Sequence, residues 1–307
     1  MKMTTMIHLA VWWSAALFAL DPSPSAAQDT ITFRVDVRTV YVDVFVSKDG
    51  THVAGLTAED FEVYDNGIEQ KVELVDAGLP LSVMLLLDTS GSVPSVSWSQ
   101  LREAELAFHR ELGSEDETAL MTFSRRAELR MDFAEGQDAL RVALSERGVA
   151  GSTALNEALF LGLNLLETRE GRPLALILTD GLDSASWLSR DKILGLARSS
   201  GVVVYAVWSP PLGGVWLPGP FLRSIPDEGE RFLTDLTGAT GGRLIRLDSK
   251  TNVVEVYLEI LAEIKARYLL VFTPEGVPEP GWHRLEVRLP NRRGMTIRAR
   301  SGYEDRP

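Results

Sequence analysis

Asp88, Ser90 and Ser92 occupy alternate positions in LLLDTSGS (residues 85–92), where an apolar run ends in a carboxylate followed by hydroxyls. Oxygen side chains gathered just past a strand end can supply a nucleophile, half of an aspartic-protease pair, a cation site, or only a polar turn. Two other stretches carry matching chemistry. Asp180 follows the apolar run of LILTDGLDS, and Thr153 lies in GSTAL, ahead of a helical pattern. Two carboxylates and three hydroxyls, with no histidine or cysteine among them, suit a hard cation: Mg2+ first, with Ca2+ or Mn2+ as alternatives. Short hydroxyl ligands leave a coordination position through which an outside ligand can reach the metal.

The catalytic readings fare worse. An aspartic protease needs Asp-Thr-Gly or Asp-Ser-Gly on an all-β frame, and here Ser90 stands at the glycine place while Asp180 precedes its glycine as TDG. A phosphatase with an aspartyl nucleophile wants a second aspartate where Ser90 stands. A serine hydrolase needs a histidine base. Past the first residues the chain offers His52, His109 and His283, two in β-patterned flanks and one mid-helix, where it is expected to be solvated or lightly paired and is assigned no role. A lone DTSGS would read as a helix cap, but the two companion loops outweigh that. The chain reads as a binding protein, not an enzyme.

What must position these residues is an alternation of strands and helices. LSVMLLLD, TALMTF, AELRMDF, PLALILTD, VVVYAVW and RLIRL read as strands; between them run helical patterns with Leu101, Ala104, Phe108 and Leu112 on one face of the first. Apolar strands alternating with helices predict an α/β, doubly wound, mainly parallel sheet over about Leu81–Arg267. In such sheets ligands bind beyond the carboxyl ends of the strands, which is where Asp88 and Asp180 fall. GERFLTDLTGATGG ends in glycines that stop a helix and lacks the strand-then-lysine context of a phosphate loop. The flanks are β in texture. FRVDVRTVYVDVFV alternates with a parity switch between Val35/Val37 and Val40/Val42, which implies a bulge or a strand passing between sheets. KDG (48–50) reads as a turn, Thr57 with Asp60 as a capped turn, and Asn66-Gly67 as a tight hairpin turn. YLLVFTP, HRLEVRLP and MTIRARSGY return to β at the far end. Neither flank alone can cover two sheet faces, so residues 28–80 and 268–307 are expected to form one small β-sandwich-like module interrupted by the α/β domain, rather than two appendages.

DTSGS, GSTAL and LTDG, in that order on an α/β background, resemble the von Willebrand factor type A domain and its metal-ion-dependent adhesion site. The resemblance implies Asp88, Ser90 and Ser92 as the first ligand group, Thr153 as the second and Asp180 as the third. It also implies metal-dependent protein binding. GLTAEDFEVYDNGIEQKV before the domain and GWHRLEVRLP with RARSGY after it are similar to the exported von Willebrand factor A-related family described from acidobacterial genomes.

Composition narrows the partner. Of 307 residues, 45% are hydrophobic and 24% charged, enough for a core without staples, and there is no cysteine to form a disulfide. A formal charge of -12 offers no basic stripe and argues against nucleic acid. Lys2, the apolar stretch Ile7–Leu20 and the small residues Ser25 and Ala27 read as an export signal cleaved after Ala27, with an uncleaved anchor as the alternative. The stretch is shorter than the ~20 residues of a spanning helix. The expected location is therefore periplasm, cell surface or medium, and the expected partner a protein presenting an acidic side chain or terminus to the metal. Trp98, Trp187 and Trp216, with Phe221, follow the loops at the same sheet edge and are candidates for a rim that contacts the partner; for Trp98 and Trp187 the alternative is an inward, core-facing position. A structural envelope protein whose metal only stabilises the fold is the second function class, and an unrecognised hydrolase the third.

Overall fold

The computed structural model describes residues 39–75, 78–91, 97–145, 151–210, 224–248, 250–277 and 280–305, with backbone alone for 224–227. The export segment, Val35 and Val37 of the parity switch, Ser92, Trp216 and Phe221 lie outside the described residues.

β1 (Val40–Lys48) buries Val40, Val42, Val44 and Val46 and leaves Tyr41 half exposed, as its alternation requires. Asp49 and Gly50, at φ 50° and 81°, turn the chain into β2 (Thr51–His52). The Thr57 N–H donates to the Asp60 carboxylate at 2.9 Å and opens a 3-10 turn, Ala58–Asp60. β3 (Glu62–Asp65) and β4 (Ile68–Gln70) are joined by Asn66-Gly67 at φ 48° and 84°. Positive φ at both central residues is the hairpin turn whose twist matches the strands. β5 (Glu73–Val75) ends this flank.

The α/β region runs β6 (Leu81–Asp88), α1 (Trp98–Arg110), β7 (Glu117–Phe123), β8 (Ala127–Met131), α2 (Gln137–Ala143), α3 (Leu155–Glu167), β9 (Arg172–Thr179), α4 (Arg190–Ser199), β10 (Val203–Trp208), α5 (Ser224–Thr240), β11 (Arg243–Arg246) and α6 (Val253–Lys265). Among the described residues these strands form one sheet in the order β11-β10-β9-β6-β7-β8, parallel except for the β7/β8 edge hairpin. Leu81, Val83, Leu85 and Leu87 face a core shared with α1, α2 and α6. Met84 and Leu86 face a second core, shared with α3, α4 and α5. Both faces of β6 are therefore covered, which is why its sequence is apolar throughout. From β6 the chain builds outward to β7 and β8, then crosses back to β9 and builds the other way. The reversal leaves a crevice past the carboxyl ends of β6 and β9, where Leu87 pairs with Leu178 one residue before Asp88 and two before Asp180.

Four strands follow: β12 (Tyr268–Phe272), β13 (Gly281–Arg288), β14 (Thr296–Arg298) and β15 (Gly302–Asp305). They pair with the first flank. One sheet runs β14-β1-β12-β5, with β2 on β1, and another runs β15-β13-β3-β4. Val42, Val44, Phe61, Val63, Leu270, Phe272, Leu285 and Tyr303 belong to one buried cluster drawn from both sheets. At its edge, His283 Nδ1 lies 2.9 Å from Asp65, and the Tyr303 hydroxyl donates to the same carboxylate at 2.6 Å. A second polar junction joins the flanks to the α/β region. Asp43 of β1 accepts from Arg172 at 3.0 Å and is ion-paired to Arg267, and both arginines are buried. His109 is half-buried and lightly paired, with Nδ1 3.3 Å from the Thr118 hydroxyl.

Candidate metal centre

Asp88, Ser90, Thr153 and Asp180 are all buried, between 0% and 3% exposed. Asp88 ends β6. Its Oδ1 accepts the Ser90 N–H at 2.9 Å, a local turn that brings the Ser90 residue back over the strand end. Its Oδ2 accepts the Thr179 hydroxyl at 2.7 Å, which ties the ends of β6 and β9 together. The same Thr179 oxygen accepts the Gly181 N–H at 3.1 Å. Asp180 follows immediately, with Oδ1 accepting the Leu182 N–H at 2.9 Å and its carbonyl accepting the Trp208 indole N–H at 2.8 Å.

Thr153 is held from the β9 side. Its carbonyl accepts the N–H groups of Ser184 (2.9 Å) and Ala185 (3.0 Å), and its own N–H donates to the Ser184 hydroxyl at 3.0 Å. The start of α3 is capped by the same loop: Asn156 N–H donates to Asp183 at 2.8 Å and Glu157 N–H to Ser186 at 3.2 Å. Ala154 N–H reaches the Ser124 carbonyl past β7 at 2.6 Å. Orphan N–H groups at a helix start need acceptors, and here the loop after Asp180 supplies them. The GSTAL loop is thereby stitched to the loop that carries Asp180.

Burial pushes the Asp88 carboxyl up to about 6; the Ser90 and Thr179 hydrogen bonds oppose the shift, and the negative charge of Asp180 adds to it. Among the described residues no lysine or arginine forms an ion pair with Asp88. Nor do three of the residue types His, Cys, Asp and Glu converge anywhere among them. The site is a pair of mutually repelling carboxylates in a hydroxyl-rich, buried setting. That donor set fits a divalent cation, whose charge would relieve both the repulsion and the cost of burial.

Residues 83–182 match the von Willebrand factor type A domain. The α/β region has a fold like that of the von Willebrand factor type A domain. This family comprises metal-dependent adhesion and protein-interaction modules that bind a divalent cation, and its members are typically not enzymes. Inter-alpha-trypsin inhibitor heavy chain H4 of Sus scrofa is 31% identical over 116 residues, 34% of this chain. The chain spans only 13% of that relative's length. Among solved structures, an aerotolerance-related membrane protein from Bacteroides fragilis is similar at 18% identity, over 60% of this chain and 98% of that one, with a TM-score of 0.46. Proximal thread matrix protein 1 from the mussel byssus, in a form with zinc in its adhesion-site motif, is 15% identical over 64% of this chain and 49% of its own, with a TM-score of 0.48.

The tryptophans of the type A domain part company. Trp187, in the loop that follows Asp180, is 77% exposed. Trp98 opens α1 half-buried and packs on the core beneath that helix, the inward alternative for this position. The indole has an apolar surface within reach there, one residue past the Ser97 cap. Thr179, Ser184 and Trp208 escaped the sequence reading. Thr179 lies in LTDG and carries a hydroxyl of the right type, whereas Trp208 has no local signal, since its contact spans 28 residues.

Proposed function

We propose that this chain is an exported, divalent-cation-dependent protein-binding module. Asp88, Ser90, Ser92, Thr153 and Asp180 would hold Mg2+, with Ca2+ or Mn2+ as substitutes, and a carboxylate of the partner protein would complete the metal's shell. The observation that carries this reading is the buried Asp88–Asp180 pair at the sheet's switch point, two negative charges brought together where the fold presents ligands. A bound cation supplies a point of attachment for an outside carboxylate. Trp187, exposed beside the Asp180 loop, supplies apolar contact of the kind enriched at interface hot spots. Export follows from the leading segment of the sequence, and no helix among the described residues is long and apolar enough to cross a membrane.

The deep burial of all four described ligand candidates favours a second reading, in which the cation only stabilises an envelope protein. A pull-down from envelope and secreted fractions, run with Mg2+ and with EDTA, separates the two. Recognition through the metal predicts a partner lost on chelation while the circular dichroism of the protein is unchanged. Unfolding on chelation, with no partner at any Mg2+ concentration, supports the structural role instead. Trp187→Ala is expected to leave Mg2+ affinity intact and to weaken partner binding by about 2 kcal/mol. Unaltered partner affinity in that variant removes Trp187 from the interface.

A further inference from the structure

Asp180 is placed by elements distant in sequence as well as by its own loop. Gly181, at φ +79°, packs backbone to backbone against Gly229 on α5. A Cβ at position 229 would lie 2.9 Å from the Asp180 carbonyl oxygen and 2.9 Å from the Gly181 carbonyl carbon, closer than any side-chain carbon tolerates. From the end of β10, the Trp208 indole N–H donates to that same Asp180 oxygen at 2.8 Å. Arg190 extends the contact, its guanidinium 5.4 Å from the Phe232 ring of α5 and within 3.5 Å of the Gly181 carbonyl. Asp180 is thus gripped through its backbone from two sides, while its carboxylate is held by the Leu182 N–H.

We infer that Gly229 and Trp208 are positioning residues for Asp180, fixing the backbone from which its carboxylate meets the cation. The clamp rests on geometry alone; its consequence for the cation rests on the function proposed above. Glycine in the middle of α5 is unfavourable for the helix itself, and here the close approach to Asp180 and Gly181 accounts for it. Gly238, on the same helix, has nothing within 4 Å of the place its Cβ would occupy and serves as the control.

The test uses the full chain and Mn2+ or Mg2+ alone as the probe. Gly229→Ala, Trp208→Phe, Gly238→Ala and Asp180→Asn are compared by calorimetric cation affinity, and by hydrogen exchange of the Leu182 amide without cation. Gly229→Ala and Trp208→Phe are expected to lower affinity at least tenfold and to speed Leu182 exchange at least tenfold, while Gly238→Ala changes neither. A generic loss of helix stability would not produce this pattern, because alanine raises helix propensity at both glycines. Wild-type affinity and wild-type Leu182 protection in both clamp variants overturn the inference. If Gly229→Ala does not fold, Trp208→Phe decides by the same two readouts, since it keeps a ring and removes the N–H. If the wild type takes up no cation yet Leu182 exchange accelerates in the variants, the cation reading fails and the clamp stands.

Discussion

Asp88 and Asp180 bring two carboxylates to the carboxyl ends of β6 and β9. Asp88 collects hydrogen bonds from Ser90 and Thr179, which favour its charged form, yet burial and the neighbouring Asp180 charge outweigh them. A divalent cation would reverse that balance, because affinity for a hard cation is dominated by carboxylate charge. Asp88→Ala is therefore expected to abolish Mg2+ binding measured by calorimetry, and Asp180→Ala to weaken it. Unchanged affinity in Asp88→Ala would falsify the site. Asp88→Asn adds a second comparison: it keeps the side chain's shape and one acceptor oxygen, but removes the charge and the second oxygen that together accept from Ser90 and Thr179, so it too is expected to lose Mg2+ binding.

At the scale of elements, the contact between α1 and α6 contains a buried carboxyl. Glu105 of α1 is fully buried, with the Tyr257 hydroxyl of α6 beside its carboxyl. Burial, opposed by the proximity of Tyr257, pushes its pKa up to about 8, so the folded protein keeps the proton at neutral pH. In the unfolded chain the group ionises near the ordinary 4.5. The sign follows: between those values the folded state holds more protons, so stability falls as pH rises from about 4.5 toward 8, by up to ~1.4 kcal/mol per unit. Denaturant unfolding of Glu105→Gln across pH 5–8 is expected to show a flatter profile than the wild type. Parallel profiles would place the pH dependence elsewhere. The helical pattern marked Leu101, Ala104 and Phe108 as the inner face, and Glu105 lies on its flank, beside Ala104, where it meets Tyr257 of α6.

Across the whole molecule, the two β ends depend on each other. β1 pairs with β12, and β3 pairs with β13, so the first flank borrows its central partners from the last forty residues. We propose that residues 28–80 and 268–307 behave as one folding unit. Deleting Tyr268–Pro307 would strip β1 and β3 of these partners and uncover Val42, Val44 and Val63. Aggregation in sedimentation, or rapid proteolysis of the N-terminal strands, is the expected outcome. A soluble truncation whose N-terminal strands remain protected from hydrogen exchange would sink the idea.

Local chemistry alone determined much of this protein. The apolar β6, too continuous to face water on either side, announced a covered parallel sheet. Asn66-Gly67 announced its hairpin because few residues accept positive φ. The order of DTSGS, GSTAL and LTDG marked the candidate residues, because carboxylates just past two apolar strands and a threonine ahead of a helix are legible as spacing. What stayed hidden were contacts between residues far apart in the chain. Trp98 and Trp187 each follow a strand-end loop and look alike in sequence, yet one packs on the core and the other stands in solvent. Arg172 and Arg267 look like surface cations until they converge on Asp43, 129 and 224 residues away. Gly229 is an ordinary helix interruption until α5 lies against Asp180. Periodicity and turn chemistry act through neighbours along the chain, so they are legible there. Burial, pairing of charges and close backbone approach are decided by which elements meet, and only the tertiary structure contains that information.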